Sequence, residues 1–560
     1  MRAYHLSLSN VFPVVLLLGL LGMTARPATD PDLWWHLRTG QWIVETGHVP
    51  HSDPFSFTRA GHAWVSHEWL SEVVFYELWK HGGPALLIIF SAMVTTAGFM
   101  LLYLRCLLCG AEKHWAAAAT VLGALASAPS WGVRPQMFTF TLASLLLFLL
   151  ESGNKKDRPS LLFWIPPLLL LWLNLHAGFA LGLALLLAYA VGLIMETAAG
   201  NTPWQRARPI IMRVLLLLLA CLALVPLNPS GAQLYRYPFD TLRSSGMRSF
   251  IVEWFSPDFH DWLYRPLLLV WLLLLIALAS SRSRPKGRVI VPLLLTSLAA
   301  LDAVRHIPIF ILVAIPVIAA ALPVARGSRA ANLHVTKSAR LGAPISFWFR
   351  PSFNLAIVLL IAVLALVKWV SLVRNQDARE ADLFPQKAVA FLRAGDQPQR
   401  IFVYYDWGGY AIWKLYPEYR VFVDGRADLY GDDLLRQFKT AVHLRSGWRD
   451  VLDSWKVEAV LVPPSSALSQ ALLLDPKWHV AFVDSKAIIL VRTNPPPEIP
   501  ALSRGRSPVG EESEKMFPRA IRICETRAHD SFQRQSGLAV SSGNAQESEH
   551  DRFGQNLVAQ

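Results

Sequence analysis

For its first two thirds the chain alternates long apolar stretches with short polar ones, and then the pattern changes. Apolar runs lie near 6–25, 85–104, 115–130, 136–150, 161–175, 177–195, 210–227, 266–280, 289–301, 307–324 and 353–373. A perpendicular span needs about 20 residues, so several of these eleven are short and their boundaries are soft. The first run follows a single Arg2 and no small-x-small cleavage site closes it, which favours an uncleaved helix over a removed signal. From about Glu380 to Arg492 the periodicity becomes that of an α/β domain. An amphipathic helix is predicted over Asp382–Ala394, with strands at Arg400–Tyr405, Arg420–Val423, Ala459–Val462, Val480–Val483 and Ala487–Val491. After Pro495 the chain is rich in Ser, Glu, Arg and Gln and poor in aromatics, the composition of a disordered tail. The expected division is a membrane bundle over 1–374 with a first external loop at 26–84, an α/β domain over 375–495 and a tail over 496–560. No internal repeat is evident.

With 53% hydrophobic and 17% charged residues, the pattern reads as an α-helical polytopic membrane protein with about eleven transmembrane helices and a C-terminal extracytoplasmic α/β domain. The net charge of +13 matters through its location. Alternate loops carry Arg105 and Lys113; Lys155, Lys156 and Arg158; Arg206 and Arg208; Arg282, Arg284, Lys286 and Arg288; and Arg326, Arg329, Lys337, Arg340 and Arg350. The opposite loops hold little beyond Arg134, Arg305 and the Arg236, Arg243 and Arg248 of one longer loop. The positive-inside rule therefore places the N-terminus in the cytoplasm, and both the 26–84 loop and everything after 373 outside it. Basic residues confined to short inter-helix loops argue against a nucleic-acid partner. Cys106 and Cys109 have CxxC spacing but end an apolar helix with no second pair, so they are read as packing residues.

The first external loop is dense in chemistry: Asp30-Pro31-Asp32, Trp34-Trp35-His36, and His67-Glu68-Trp69. Asp30 can cap a helix that Pro31 opens and Gly47 closes, with Asp32 in its first turn and His36 one turn on. A second helix is predicted from Ser66 to Gly82-Gly83, with Glu68 and Glu72 on one face. Both are Trp-rich, as helices lying at a membrane interface are. Asp32 is surplus to capping, and such a carboxylate can polarise a hydroxyl or hold a divalent cation. A helix N-terminus keeps its pKa low, which suits a metal ligand or transition-state stabiliser better than a strong base. Arg134, Asn174 with His176, and Asp302 with Arg305 and His306 interrupt apolar spans on the same external side. Ionisable groups at that depth are costly and point to function; the two arginines and His306 would suit a phosphate.

This layout resembles the GT-C superfamily of membrane glycosyltransferases, in particular the polyprenyl-phosphate-sugar-dependent protein O-mannosyltransferases, aminoarabinose transferases and Rgt-like transferases. The likeness lies in the acid after the first span, the interfacial helix, the Gly47-His-Val-Pro50 turn and the second, Trp-containing helix. Pro31 separates the two aspartates, which are adjacent in the family pattern, and Ser66-His-Glu-Trp69 stands where a Lys-Pro-Pro segment is usual. The resemblance implies a sugar donor on a polyprenyl phosphate, a glycan, lipid or protein acceptor, and a bacterial inner membrane. It assigns catalysis to Asp32, with Asp30 the alternative and Glu68 a further candidate. His36, His67 and His176 are expected to contact substrate, with Arg134, Arg305 and His306 on the phosphate. In the external domain Trp407, Asp424 and Arg426 have the residue types of a saccharide site. A flippase of lipid-linked saccharide, or a scaffold with a glycan-binding domain, are the rival readings.

Overall fold

The computed structural model describes residues 8–155, 158–281, 286–321, 351–395 and 399–493. The predicted tail and the basic segment 326–350 lie outside these residues. Among the described residues, helices stand at all eleven apolar stretches: α1 (Leu8–Thr24), α3 (Trp69–Leu108), α4 (Lys113–Ser127), α5 (Gln136–Lys155), α6 (Ile165–Leu175), α7 (Phe179–Ala198), α8 (Trp204–Leu224), α11 (Arg265–Ser280), α12 (Gly287–Asp302), α13 (Ile307–Ala321) and α14 (Pro351–Arg374). Between them lie α2 (Leu33–Thr46), α9 (Gln233–Arg243) and α10 (Ser245–Phe250). Seven helices, α3, α5, α7, α8, α11, α13 and α14, are long and apolar enough to cross a membrane, and α1 and α6 are shorter apolar helices.

The second loop helix ends its first segment at Gly83, as its glycine pair predicts. It starts at Trp69 and continues into the first span after it, so that α3 is one path of 40 residues. The break expected at Gly82-Gly83 survives as a kink, with Gly83 at φ 56°, ψ −151° and Pro84 next, which can donate no backbone bond.

After the bundle come α15 (Gln376–Leu383) and α16 (Gln386–Ala394) in place of one helix over Asp382–Ala394. Pro385 explains the break: it pushes the preceding residue out of the helical region, and Phe384 is extended at φ −116°, ψ 151°. The sheet contains β1 (Arg400–Val403), β2 (Arg420–Val421), β3 (Ala459–Val462), β4 (Trp478–Val483) and β5 (Ile488–Arg492) in the order β2-β1-β3-β5-β4. β1 is parallel to both its neighbours, while β5 is antiparallel to β3 and β4. Helices α17 (Gly408–Leu415), α18 (Ala427–Val442), α19 (Trp448–Ser454) and α20 (Ala467–Leu473) connect the strands.

The 26–84 loop packs into this domain. Ser56 bridges Val421 beside β2, Phe57 N–H donates to the Val421 carbonyl at 3.2 Å, and Thr58 Oγ1 donates to that of Phe422 at 2.6 Å. Trp34 and Trp35 do not face a membrane interface, as their composition suggested. Trp34 is fully buried, its ring edge-on to Trp79, Phe384 and Tyr410 with centroids 5.8, 5.4 and 5.0 Å away. An amphipathic ring suits an interface or a domain contact equally well, and only the fold decides between them.

Candidate functional site

The site begins at the start of α2. Asp30 accepts the Asp32 backbone N–H on its carboxylate at 2.9 Å and that of Leu33 on its carbonyl at 3.2 Å, which does the work of a cap. Asp32 makes no capping bond. Its Oδ1 instead accepts Trp35 Nε1 at 3.2 Å and its Oδ2 accepts Arg134 Nη2 at 2.8 Å.

Arg134 is caged. Its Nε lies 2.7 Å from Asp30 Oδ2, its Nη2 reaches Asp32, and its Nη1 reaches Glu253 Oε1. Each of its three nitrogens is thus engaged by a carboxylate, where a phosphate oxygen was expected. The cation was visible in the sequence, but the acids converging on it are 102 and more residues away along the chain. Burial alone would discharge Arg134, yet Asp30 and Asp32 more than offset it and raise its pKa. Burial pushes the Asp30 carboxyl up, with Arg134 opposing.

A second cluster surrounds Glu68, whose Oε1 is 2.8 Å from His67 Nε2 and 3.7 Å from His176 Nε2, and whose Oε2 is 3.7 Å from His36 Nε2. Burial works against the Glu68 charge, but His67 and His176 prevail and hold it well below the ordinary carboxylate range. Burial also works against the charge on His67, and Glu68 overcomes it, raising His67 to about 9. His176 falls to about 4 because burial dominates. Its Nδ1 accepts the Gly178 N–H at 3.0 Å, so the ring proton of the neutral form sits on Nε2, toward Glu68. His36 is buried between Glu68 and Glu72, with its Nδ1 3.6 Å from Glu72 Oε1. Among the described residues, no group of three or more His, Cys, Asp or Glu is arranged to hold a metal ion.

Both clusters adjoin one cavity of about 160 Å³. Arg134, His176, Tyr237, Arg305 and His306 are among its polar lining residues, and Met137, Phe140, Leu181, Leu242, Pro308 and Ile309 among its apolar ones. Asp32, Arg134 and Arg305 therefore gather at one place. Arg305 differs from Arg134: among the described residues no carboxylate pairs with it, and its guanidinium lies over the Trp254 ring at 4.4 Å from the centroid. His306 Nδ1 lies 3.2 Å from the Ala299 carbonyl, leaving its other ring nitrogen for the cavity.

Three residues expected to meet a saccharide are inside the external domain instead. Trp407 is 5% exposed, its indole donating to the Leu383 carbonyl at 3.0 Å. Arg426 has no exposed side-chain surface; Nη1 binds Asp53 Oδ1 at 2.8 Å, Nη2 binds Asp424 Oδ2 at 2.7 Å, and the guanidinium stacks over Trp64 at 4.6 Å. This triad pins the external loop to the domain. The Asp-Gly-Arg spacing carried the charge pattern of a sugar site, and the missing partner was Asp53, 373 positions earlier.

Glu253 and Tyr237 went unnoticed in the sequence. A signal existed for the first: Glu253-Trp254 repeats the acid-Trp pair of Glu68-Trp69 and Asp406-Trp407. Tyr237, stacked on His67 with ring centroids 4.3 Å apart, lies on an amphipathic helix with no mark to set it apart.

No protein-family profile matches this chain, and no curated protein matches it in sequence. Among solved structures it is similar to the oligosaccharyltransferase AglB of Archaeoglobus fulgidus, in complex with an inhibitory peptide and a dolichol-phosphate, at 12% identity and a TM-score of 0.47 over 80% of this chain and 68% of that one. It is also similar to ArnT of Cupriavidus metallidurans bound to undecaprenyl phosphate, at 13% identity and a TM-score of 0.46 over 87% of this chain and 98% of that one.

Proposed function

We propose that the chain is an integral-membrane glycosyltransferase that takes a sugar from a polyprenyl-phosphate donor and passes it to an acceptor on the external face of a bacterial inner membrane. The observation that carries this is the cavity's mixed lining, in which Arg305, unpaired by any described carboxylate, is found with other polar groups and with a set of apolar side chains. A lipid phosphate combines the same two characters. In this reading the phosphate sits on Arg305 and His306, with the polyprenyl chain along Leu181, Leu242 and Ile309. Arg134 presents its cavity-facing edge to the sugar-phosphate linkage, and Asp32, Asp30 and Glu253 hold it in place. Asp32 is then a positioning residue, since one of its oxygens is engaged by the Trp35 indole and the other by the Arg134 guanidinium. Glu68, fixed as an anion by His67, keeps the field beside the leaving group constant. The N-terminus is cytoplasmic, and the eleven apolar helices make up the bundle.

The test is binding of polyprenyl phosphate to purified protein in nanodiscs. Arg305→Ala is expected to weaken it at least about 10-fold, the loss of one charge-assisted phosphate contact. Arg243→Ala, a cation outside the cavity, should leave it unchanged. Equal affinities in the two variants would remove the phosphate from Arg305 and the proposal with it.

A further inference from the structure

We infer that a second cleft, across Tyr237 from the lipid cavity, seats an uncharged hydroxyl-bearing acceptor of saccharide type, and that Asp428 of the external domain takes its proton. This rests on the lipid-cavity reading above and adds the acceptor side to it. The cleft holds about 410 Å³ between Ala63–Val65 of the loop, the second half of α9 and the first turns of α18. Tyr237 and Thr241 line both spaces, so two compartments meet at one side chain.

Among the carboxylates lining the cleft, Asp428 stands apart. Asp30, Asp32 and Glu253 are held on Arg134, and Glu68 on His67. In the cleft itself, Asp240 pairs with Arg236 at 2.9 Å, while Asp432 accepts from Ser244, Ser245 and Gly246 at the start of α10. Asp428 makes no ion pair within 4 Å among the described residues and lines the cleft with Tyr237. The groups facing it are His67 and Glu68 from the loop, Tyr237 from α9 and its own backbone amide. Burial pushes its carboxyl above the ordinary aspartate value, which improves it as a base at neutral pH. The acceptor class follows from the lining. Asp240, Asp428 and Asp432 outnumber the one lining cation, Arg243, and so repel an anion, while the Thr241 and Ser244 hydroxyls can hydrogen-bond a neutral polyol.

The step balances as a single displacement. The acceptor O–H proton passes to an Asp428 oxygen as the acceptor oxygen bonds the anomeric carbon. The bond from that carbon to the phosphate oxygen breaks, and its electron pair leaves on the lipid phosphate beside Arg305. The configuration inverts.

The experiment uses the full chain in vesicles, with synthetic polyprenyl-phosphate hexoses and pentoses as donors and methyl glycosides as acceptors. Release of lipid phosphate is followed from about pH 5 to about pH 9, beside binding of sugar-free polyprenyl phosphate. Asp428→Asn should slow release about 100-fold or more and abolish the acid limb of the profile, while lipid binding stays within about two-fold. Asp428→Glu should recover part of the rate. Release by the Asn variant at near wild-type rate, or joint loss of lipid binding and release, overturns the role of Asp428. Release only with phosphorylated glycosides overturns the acceptor class. Wild-type protein that fails to bind the lipid overturns the underlying donor reading and this inference with it; binding without release overturns this inference alone.

Discussion

Arg426 and Arg134 are both guanidinium groups caged by carboxylates, yet one cage is dry and the other is open. The side chains of Arg426, Asp53 and Asp424 are 0% exposed, whereas Arg134 is 19% exposed and its partners Asp30, Asp32 and Glu253 are 16%, 28% and 28% exposed. A dry cage repays the cost of desolvation only if every partner stays in place, so it works as a rivet. An open cage loses less when a partner swings away, and its cation can meet an incoming ligand. The same residue types at comparable distances therefore do different work, and the water around them decides which.

The largest effect should come from breaking the rivet. Arg426→Met leaves Asp53 and Asp424 buried without a counter-charge, with an expected cost of about 3–5 kcal/mol. Thermal unfolding in detergent should show it as a large fall in midpoint. Adding Asp53→Asn and Asp424→Asn to the same chain should recover much of the loss, because what destabilises is the stranded charge. A single variant as stable as wild type would mean that the loop is held by apolar contacts alone.

The open cage should answer in function instead. Arg134→Met leaves three carboxylates beside the phosphate seat, and both lipid-phosphate affinity and turnover should fall about 100-fold, the scale of losing one preorganised donor. The unfolding midpoint should move far less than for Arg426→Met. Arg134→Lys restores the charge but not the three-way fork, so partial recovery is expected. If stability falls as far as in the Arg426 variant, the contrast between the cages fails.

Gly425 connects the two, lying between Asp424 of the dry cage and Asp32 of the open one. A Cβ there would collide with the Asp32 carboxylate and press on the Trp35 indole. Gly425→Ala should cost about 1–3 kcal/mol by overpacking and turn Asp32 away from Arg134. An unchanged midpoint together with unchanged turnover would show that the domain slides to absorb the methyl group.

What the sequence revealed follows the range of the interactions concerned. Helices stand at the apolar stretches because about 20 apolar residues specify a helix without help from elsewhere. Gly47 ends α2 in the left-handed region at φ 73°, as its position suggested. The five strand-like runs became five strands, two of them shortened, one unchanged, one longer and one shifted by a residue. Roles depending on a distant partner were not legible. Arg134 and Arg426 both looked like cations awaiting a ligand, one a phosphate and the other a saccharide, and their carboxylate partners were out of sight along the chain. Trp34 and Trp407 looked like ligands for a membrane or a sugar, and packing buried both. The gathering of Asp32, Arg134 and Arg305 was foreshadowed by topology alone, since alternation of loops put them on one side. Glu253 carried only the signal of its acid-Trp pair, and Asp428, two positions after Arg426, stood in a segment that looked like a saccharide site, with nothing local to show that it would meet the loop and α9.

The His67–Glu68 pair, 9% and 13% exposed, stands between the two cages and grades the comparison by pH. His67 rises from an ordinary 6.5 to about 9, chiefly because Glu68 overcomes the cost of burial. A group whose folded pKa is raised gives stability that is complete below its unfolded pKa and is lost as pH climbs through the folded one. The unfolding free energy should therefore fall by about 1–2 kcal/mol between neutral pH and pH 9, partial exposure trimming the full linkage value. His67→Gln should flatten that alkaline slope, and the difference between variant and wild type isolates this group from the lysines and tyrosines that titrate higher. His176, lowered to about 4, carries the opposite sign: its contribution is present above 6.5 and lost as pH falls toward 4. Its acid slope should persist in the His67 variant, and an alkaline slope unaltered by His67→Gln would place the titrating group elsewhere.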